Sequence, residues 1–224
     1  MHRKYLKILS MKRKAFIRLL AVTALFPFSV TGNAYSETVS SKSYGLSRMT
    51  DVARFPVLDR EMKVKYEGSI DKKGGNADWD WSLYQDKKGE WVIFDVAGAG
   101  CIYNMVQHRY LSSEEPVFRF YFDGEETPRF TIRLSEFGEK YPFTEPQASC
   151  YIGPLDNGRG PIRVVRSFVP MPFRNGCRIT SSVKLEGPHR DKGQGGWGHV
   201  VYHSYPTAQG IETVSYTHLT LPTT

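Results

Sequence analysis

Between Trp91 and Tyr205 the chain is a succession of short runs of aromatic and β-branched residues, broken by Gly, Pro, Asn and Asp, with no long helical stripe. Runs of that length with turn residues between them restrict the fold to an all-β sandwich or barrel. Strands are expected near Trp91–Val96, Ile102–Arg109, Val117–Phe122, Arg129–Leu134, Ile162–Phe168, Arg178–Leu185 and His199–Tyr205. In the third of these, Phe118, Phe120 and Phe122 alternate with Val117, Arg119 and Tyr121, which makes one face strongly apolar. Asp123-Gly124-Glu125-Glu126 then reads as a hairpin loop, Gly124 supplying the positive φ that a tight loop needs. A short helix is expected around Leu46–Arg54. The glycine-rich stretches Lys72–Asn76 and Lys192–Gly198 read as loops, and neither has the strand-to-helix setting of a phosphate-binding glycine motif.

The formal charge of +7 suggests a polyanion partner until its distribution is examined. Seven of the 30 basic residues fall within residues 1–36, where no acidic residue occurs, so the rest of the chain carries 23 of each sign. A neutral body lacks the clustered Lys and Arg that release counterions from phosphates, which argues against nucleic acid as a partner. The basic start precedes the apolar run Leu19–Val30 and then the small residues Gly32, Ala34 and Ser36, the three-part pattern of a secretory signal. The run falls short of the roughly 20 apolar residues a membrane span needs, and Pro27 interrupts it. Residues 1–36 are therefore expected to be a cleaved leader rather than a stable membrane anchor, giving a periplasmic or secreted product; Met11 is an alternative start. The mature sandwich is expected over residues 37–212. Residues 213–224 are expected to be a non-native tail, because the uncharged run VSYTHLTLPTT from Val214 resembles translated sequencing-adapter DNA; a native terminal strand is the alternative.

Three cysteines, Cys101, Cys150 and Cys177, give an odd count in a chain expected to be exported, and their spacing matches no zinc signature. Cys101 and Cys177 lie in apolar strand-like runs, so buried free thiols are expected instead of a disulfide framework. His199 and His203 would share a strand face about 13 Å apart at 3.4 Å per residue, too far for both to grip one zinc ion. No G-x-S-x-G elbow occurs. No metal or cofactor requirement follows from the sequence.

The densest chemical feature is Gly74-Gly75-Asn76-Ala77-Asp78-Trp79-Asp80-Trp81. Extended backbone there sets Asp78 and Asp80 on one face and Trp79 and Trp81 on the other. Carboxylates beside indoles suit a sugar, whose hydroxyls donate to carboxylate oxygens while its C–H face stacks on an aromatic ring. The alternative is a strand edge with the indoles in the core and the carboxylates in solvent. Glu114-Glu115 and Glu125-Glu126 are expected to be solvated turn charges, and Asp95 in WVIFDV to be held by a loop backbone hydrogen bond if buried.

Four segments, GGNADWDW, VIFDVAGAGCIYNMVQ, FRFYFDGEETPRFTIRL and SFVPMPFRNGCRI, occur in this order and together resemble the N-terminal part of the domain-of-unknown-function 2961 family, classed as glycoside hydrolase family 172. The resemblance covers most of residues 45–210. It implies the first of two packed β jelly-roll sandwiches, assembly as trimers or hexamers, and retaining action on α-D-fructofuranosides or α-D-arabinofuranosides in an oligo- or polysaccharide. The family's two catalytic glutamates lie in later segments of the type G-E-G-D and G-T-G-T-E-D-Y, which do not occur here. No residue therefore inherits the nucleophile or acid/base role, and the polypeptide as written is expected to be inactive. The resemblance implies a substrate-binding role for Asn76, Asp78, Trp79 and Asp80, lining a pocket shared with a second sandwich or a neighbouring subunit. A non-catalytic carbohydrate-binding module or an oligomer scaffold is the rival reading.

Overall fold

Alternation of bulky and polar residues produces strands, and the bulky faces require two sheets to cover one another. The computed structural model describes residues 52, 61–76, 78–153, 160–186 and 196–214. The expected leader, all of the Leu46–Arg54 helix except Val52, and residues 215–224 of the expected tail lie outside them. The strands are β1 (Lys63–Gly68), β2 (Tyr84–Gln85), β3 (Trp91–Ala97), β4 (Ala99–Tyr110), β5 (Val117–Phe122), β6 (Phe130–Arg133), β7 (Ala148–Gly153), β8 (Ile162–Ser167), β9 (Met171–Phe173), β10 (Gly176–Ser181) and β11 (Gly198–Tyr205). One 3-10 turn, Leu134–Glu136, interrupts them. Among the described residues no helix is long and apolar enough to cross a membrane.

One sheet has the order β1-β11-β4-β8-β7, with β9 pairing onto β4; the other has the order β2-β3-β10-β5-β6, and all paired strands are antiparallel. With β2, β7 and β9 set aside, successive strands distribute between β1-β11-β4-β8 and β3-β10-β5-β6, the two interlocked Greek keys of a jelly roll. The expected all-β jelly-roll sandwich is thus the fold. The chain changes sheets between β3 and β4 at a single residue, Gly98, whose φ of +86° makes the corner at no steric cost.

The inner faces meet in one apolar core. Phe118, Phe120 and Phe122 are fully buried there with Phe94, Ile102 and Trp81. Each such side chain contributes about 1.5–3 kcal/mol on burial. The other face of β5 is not left to solvent: Tyr121 is buried beneath Arg178, 4.7 Å from its ring centre. Strand β10 starts earlier than expected, at Gly176, and ends earlier because Ser181 turns the chain by accepting from Val183 N–H and donating to Val183 C=O. Cys101 and Cys177 are buried free thiols and Cys150 is a half-buried one.

Candidate functional site

Lys72–Asn76 is the loop expected from its glycines, but Asp78 and Trp79 lie in a turn and not in the extended backbone expected from the alternation of carboxylates and indoles. Asp71 Oδ1 accepts from Lys73 N–H at 2.9 Å, and Gly74, with φ +75°, donates its N–H to Asp71 C=O at 3.0 Å. The far end is fastened to the loop after β10: Trp81 N–H donates to Leu185 C=O at 2.9 Å and Leu185 N–H to Ser82 Oγ at 2.8 Å. The alternation survives in the side chains. Asn76, Asp78 and Asp80 are exposed, Trp79 is half-buried and Trp81 is buried in the core. Trp81 therefore anchors the turn and presents no face to a sugar.

An exposed ring that feels the Asp78 charge is Tyr66 of β1, 48% exposed. Burial raises its phenol pKa first, and the Asp78 charge raises it further, which puts the carboxylate within electrostatic reach of the ring. Tyr66 stacks on His199 of β11 with ring centres 5.1 Å apart, and His199 Nε2–H donates to Asn104 Oδ1 of β4 at 3.1 Å. Burial lowers the His199 pKa, favouring a neutral ring. Three adjacent strands of one sheet thus support an aromatic platform within electrostatic reach of the Asp78 carboxylate. Its residues escape a linear reading, because Tyr66 and His199 are 133 positions apart and meet only through antiparallel pairing of β1 with β11. His203 tilts over Tyr103 at 4.5 Å, and the described residues contain no group of three or more His, Cys, Asp or Glu able to hold a metal ion.

A concave surface lies on the outer face of the other sheet, with a volume of about 780 Å³. Its floor carries Asp95, Arg178 and Tyr121, which are paired across β3, β10 and β5. Asp95 is exposed and accepts a hydrogen bond from Tyr84 Oη, a side-chain partner in place of the expected loop backbone. Burial, then the Asp95 hydrogen bond, pushes the Tyr84 phenol up to about 12, so it remains a donor at neutral pH.

Several carboxylates elsewhere among the described residues are committed to structure. Glu90 pairs with Arg119 at 2.9 Å and accepts from Thr180 and Tyr121. Glu115, expected to be a solvated charge, accepts from Ser135 N–H at 2.7 Å and pairs with Arg163 at 3.0 Å. Glu125, expected likewise, pairs with Arg129 and accepts from Phe122 N–H at 3.1 Å. Burial pushes the Cys101 thiol up to about 12 and raises Cys150 and Cys177 as well, so none is poised as a thiolate nucleophile.

A protein-family model described as the GH172 first beta-sandwich domain matches residues 52–220, more than half of the chain. No curated protein matches.

Proposed function

This chain belongs to glycoside hydrolase family 172 through its first β-sandwich domain, and from that premise we propose that it is an exported glycoside hydrolase component that grips α-D-fructofuranoside or α-D-arabinofuranoside units for cleavage with retention. The observation that carries the reading is an exposed Asp78 carboxylate within electrostatic reach of the exposed Tyr66 ring, which is itself stacked on His199. Sugar hydroxyls donate to the Asp78 and Asp80 oxygens and Asn76 offers both amide donors and an acceptor, while the ring takes the C–H face of the sugar. Trp79 and Trp81 hold the turn in place from the inner side. The grip is shared with a second sandwich or another copy in a trimer or hexamer.

The described sandwich supplies binding and not the reacting pair. Retaining hydrolysis requires a nucleophilic carboxylate and a proton-donating one about 5–5.5 Å apart. Here Glu90, Glu115 and Glu125 are tied into ion pairs. Asp123 and Glu136 are held below the ordinary carboxylate range, opposite to what a proton donor needs at neutral pH. That commitment of carboxylates favours, as a second reading, a binding module without hydrolysis.

Two measurements test the proposal. Calorimetric titration with arabino- and fructo-oligosaccharides should show Asp78→Ala and Tyr66→Ala each weakening affinity about tenfold, the equivalent of 1.4 kcal/mol; unchanged affinity in both would remove the turn from the site. The 224-residue polypeptide should release no aglycone from an aryl α-arabinofuranoside, and turnover would show that its own carboxylates suffice.

A further inference from the structure

We infer that the groove on the outer face of the β2-β3-β10-β5-β6 sheet is a second saccharide-binding site, separate from the Asp78 turn, and that it takes a neutral oligosaccharide chain. This goes beyond the reading above, which places sugar only at the turn.

The groove is built rather than incidental. One wall is the β2–β3 hairpin, whose turn is fixed by Asp86 Oδ1 accepting from the N–H groups of Lys88 and Glu90, both at 2.9 Å, with Gly89 at φ +81°. The opposite wall is the loop after β5, fixed by Glu125 N–H donating to Phe122 C=O at 3.0 Å, with positive φ at both Asp123 and Gly124. Lys88 Nζ donates to Glu126 C=O at 2.8 Å and ties the two walls together. Between them the floor drops, because Ala97 and its cross-strand partner Gly176 carry almost no side chain. A volume of about 780 Å³ falls inside the range of roughly 300–1,000 Å³ usual for small-ligand clefts. Walls already held by local hydrogen bonds lose little further entropy when a ligand enters.

The lining states the ligand's chemistry. Arg178 lies beside Asp95 in register, yet forms no ion pair with it. Arg178 is half-buried and held by stacking on Tyr121; its Nε–H is buried without a hydrogen-bond partner among the described residues, and the guanidinium lines the groove as its strongest donor group. Asp95 uses Oδ2 for Tyr84 and leaves Oδ1 without a protein donor among the described residues. Tyr84 adds a ring 45% exposed above this pair. A strong donor, an open carboxylate oxygen and an aromatic face together fit a sugar, whose hydroxyls donate and accept in turn. Three cations and four carboxylates line the groove, so neither a polyanion nor a cation is selected by net charge.

The test is native affinity electrophoresis, with calorimetry, of the whole chain against arabino-, fructo- and xylo-oligosaccharides, with polygalacturonate as the anionic probe. Tyr84→Ala and Arg178→Met are each expected to weaken binding of at least one neutral probe tenfold or more. In an Asp78→Ala background, which removes the turn as a site, the same probe should still bind through the groove, and adding Tyr84→Ala should weaken that remaining affinity tenfold or more, which separates failure here from failure of the turn. Thermal melts of the variants check that both remain folded, and Asp95→Asn offers a milder change in the same cluster. The inference is overturned if wild type binds none of the neutral probes, if only polygalacturonate binds in a salt-sensitive way, or if Asp78→Ala alone abolishes binding. It is also overturned if the groove variants change self-association in light scattering while sugar affinity stays at the wild-type value.

Discussion

Asp123 does the most structural work of any single polar residue described. Its Oδ1 accepts from Arg174 N–H at 2.8 Å, Asn175 N–H at 2.6 Å and Gly176 N–H at 3.3 Å, and its Oδ2 accepts from the Thr213 hydroxyl. One carboxylate thereby joins the loop after β5, the turn before β10 and the segment after β11. Burial alone would raise its pKa, but these hydrogen bonds outweigh burial and lower it. A folded-state pKa below the unfolded value of about 3.9 gives stabilisation that is complete above that value and disappears as pH falls through the lower folded one. Asp123→Ala should cost about 2–3 kcal/mol at pH 7, since it strands three backbone donors and removes the short polar side chain that lets Asp, better than Ala, tolerate φ +53°. In urea unfolding the gap between Asp123→Asn and wild type should narrow between pH 5 and pH 2; a gap independent of pH would mean that the charge contributes nothing.

At the scale of elements, the strands legible in the sequence are those with one face wholly committed to the core. Strand β5 starts and ends where the Phe118-Phe120-Phe122 alternation places it. Strand β1, KVKYEG, escapes that reading because it is an edge strand whose apolar residues face outward, Val64 being 63% exposed, so no buried face marks its period. Strand β9 is three residues long and contains Pro172, which a sequence reading takes as a breaker. The turn at Asn76–Asp80 was visible through its composition, whereas the Tyr66–His199–Asn104 platform and the Asp95–Arg178–Tyr121 row exist only through cross-strand register. The joint between turn and sheet is Gly198, where an added β-carbon would lie 2.3 Å from Trp81 Cζ3 and 2.6 Å from Gln107 Oε1. Trp81 is buried and cannot swing aside, so Gly198→Ala should cost about 1–3 kcal/mol or more. Adding Trp81→Phe should recover part of that loss if the indole is the obstacle. Additive losses in chemical denaturation would place the strain elsewhere.

On the scale of the whole molecule, an open jelly roll must protect the free edges of two sheets, and it does so unevenly. Strand β1 carries Lys63, Lys65 and Glu67, charges that discourage another strand from pairing there. At the opposite edge of the same sheet, β7 reads ASCYIG without a charge, and it exposes Ile152 to 58% and Tyr151 to 45%. Its unpaired backbone groups and exposed apolar side chains are the combination that templates edge-to-edge association. The chain should accordingly show concentration-dependent association in light scattering. Ile152→Lys should reduce it while leaving the melting temperature nearly unchanged, because the side chain already faces solvent. The same substitution separates two kinds of assembly, since an oligomer organised around the Asp78 turn would survive a charge on β7. A wild-type chain that stays monomeric at high concentration, or one whose association ignores Ile152→Lys, would show that this edge does not template association.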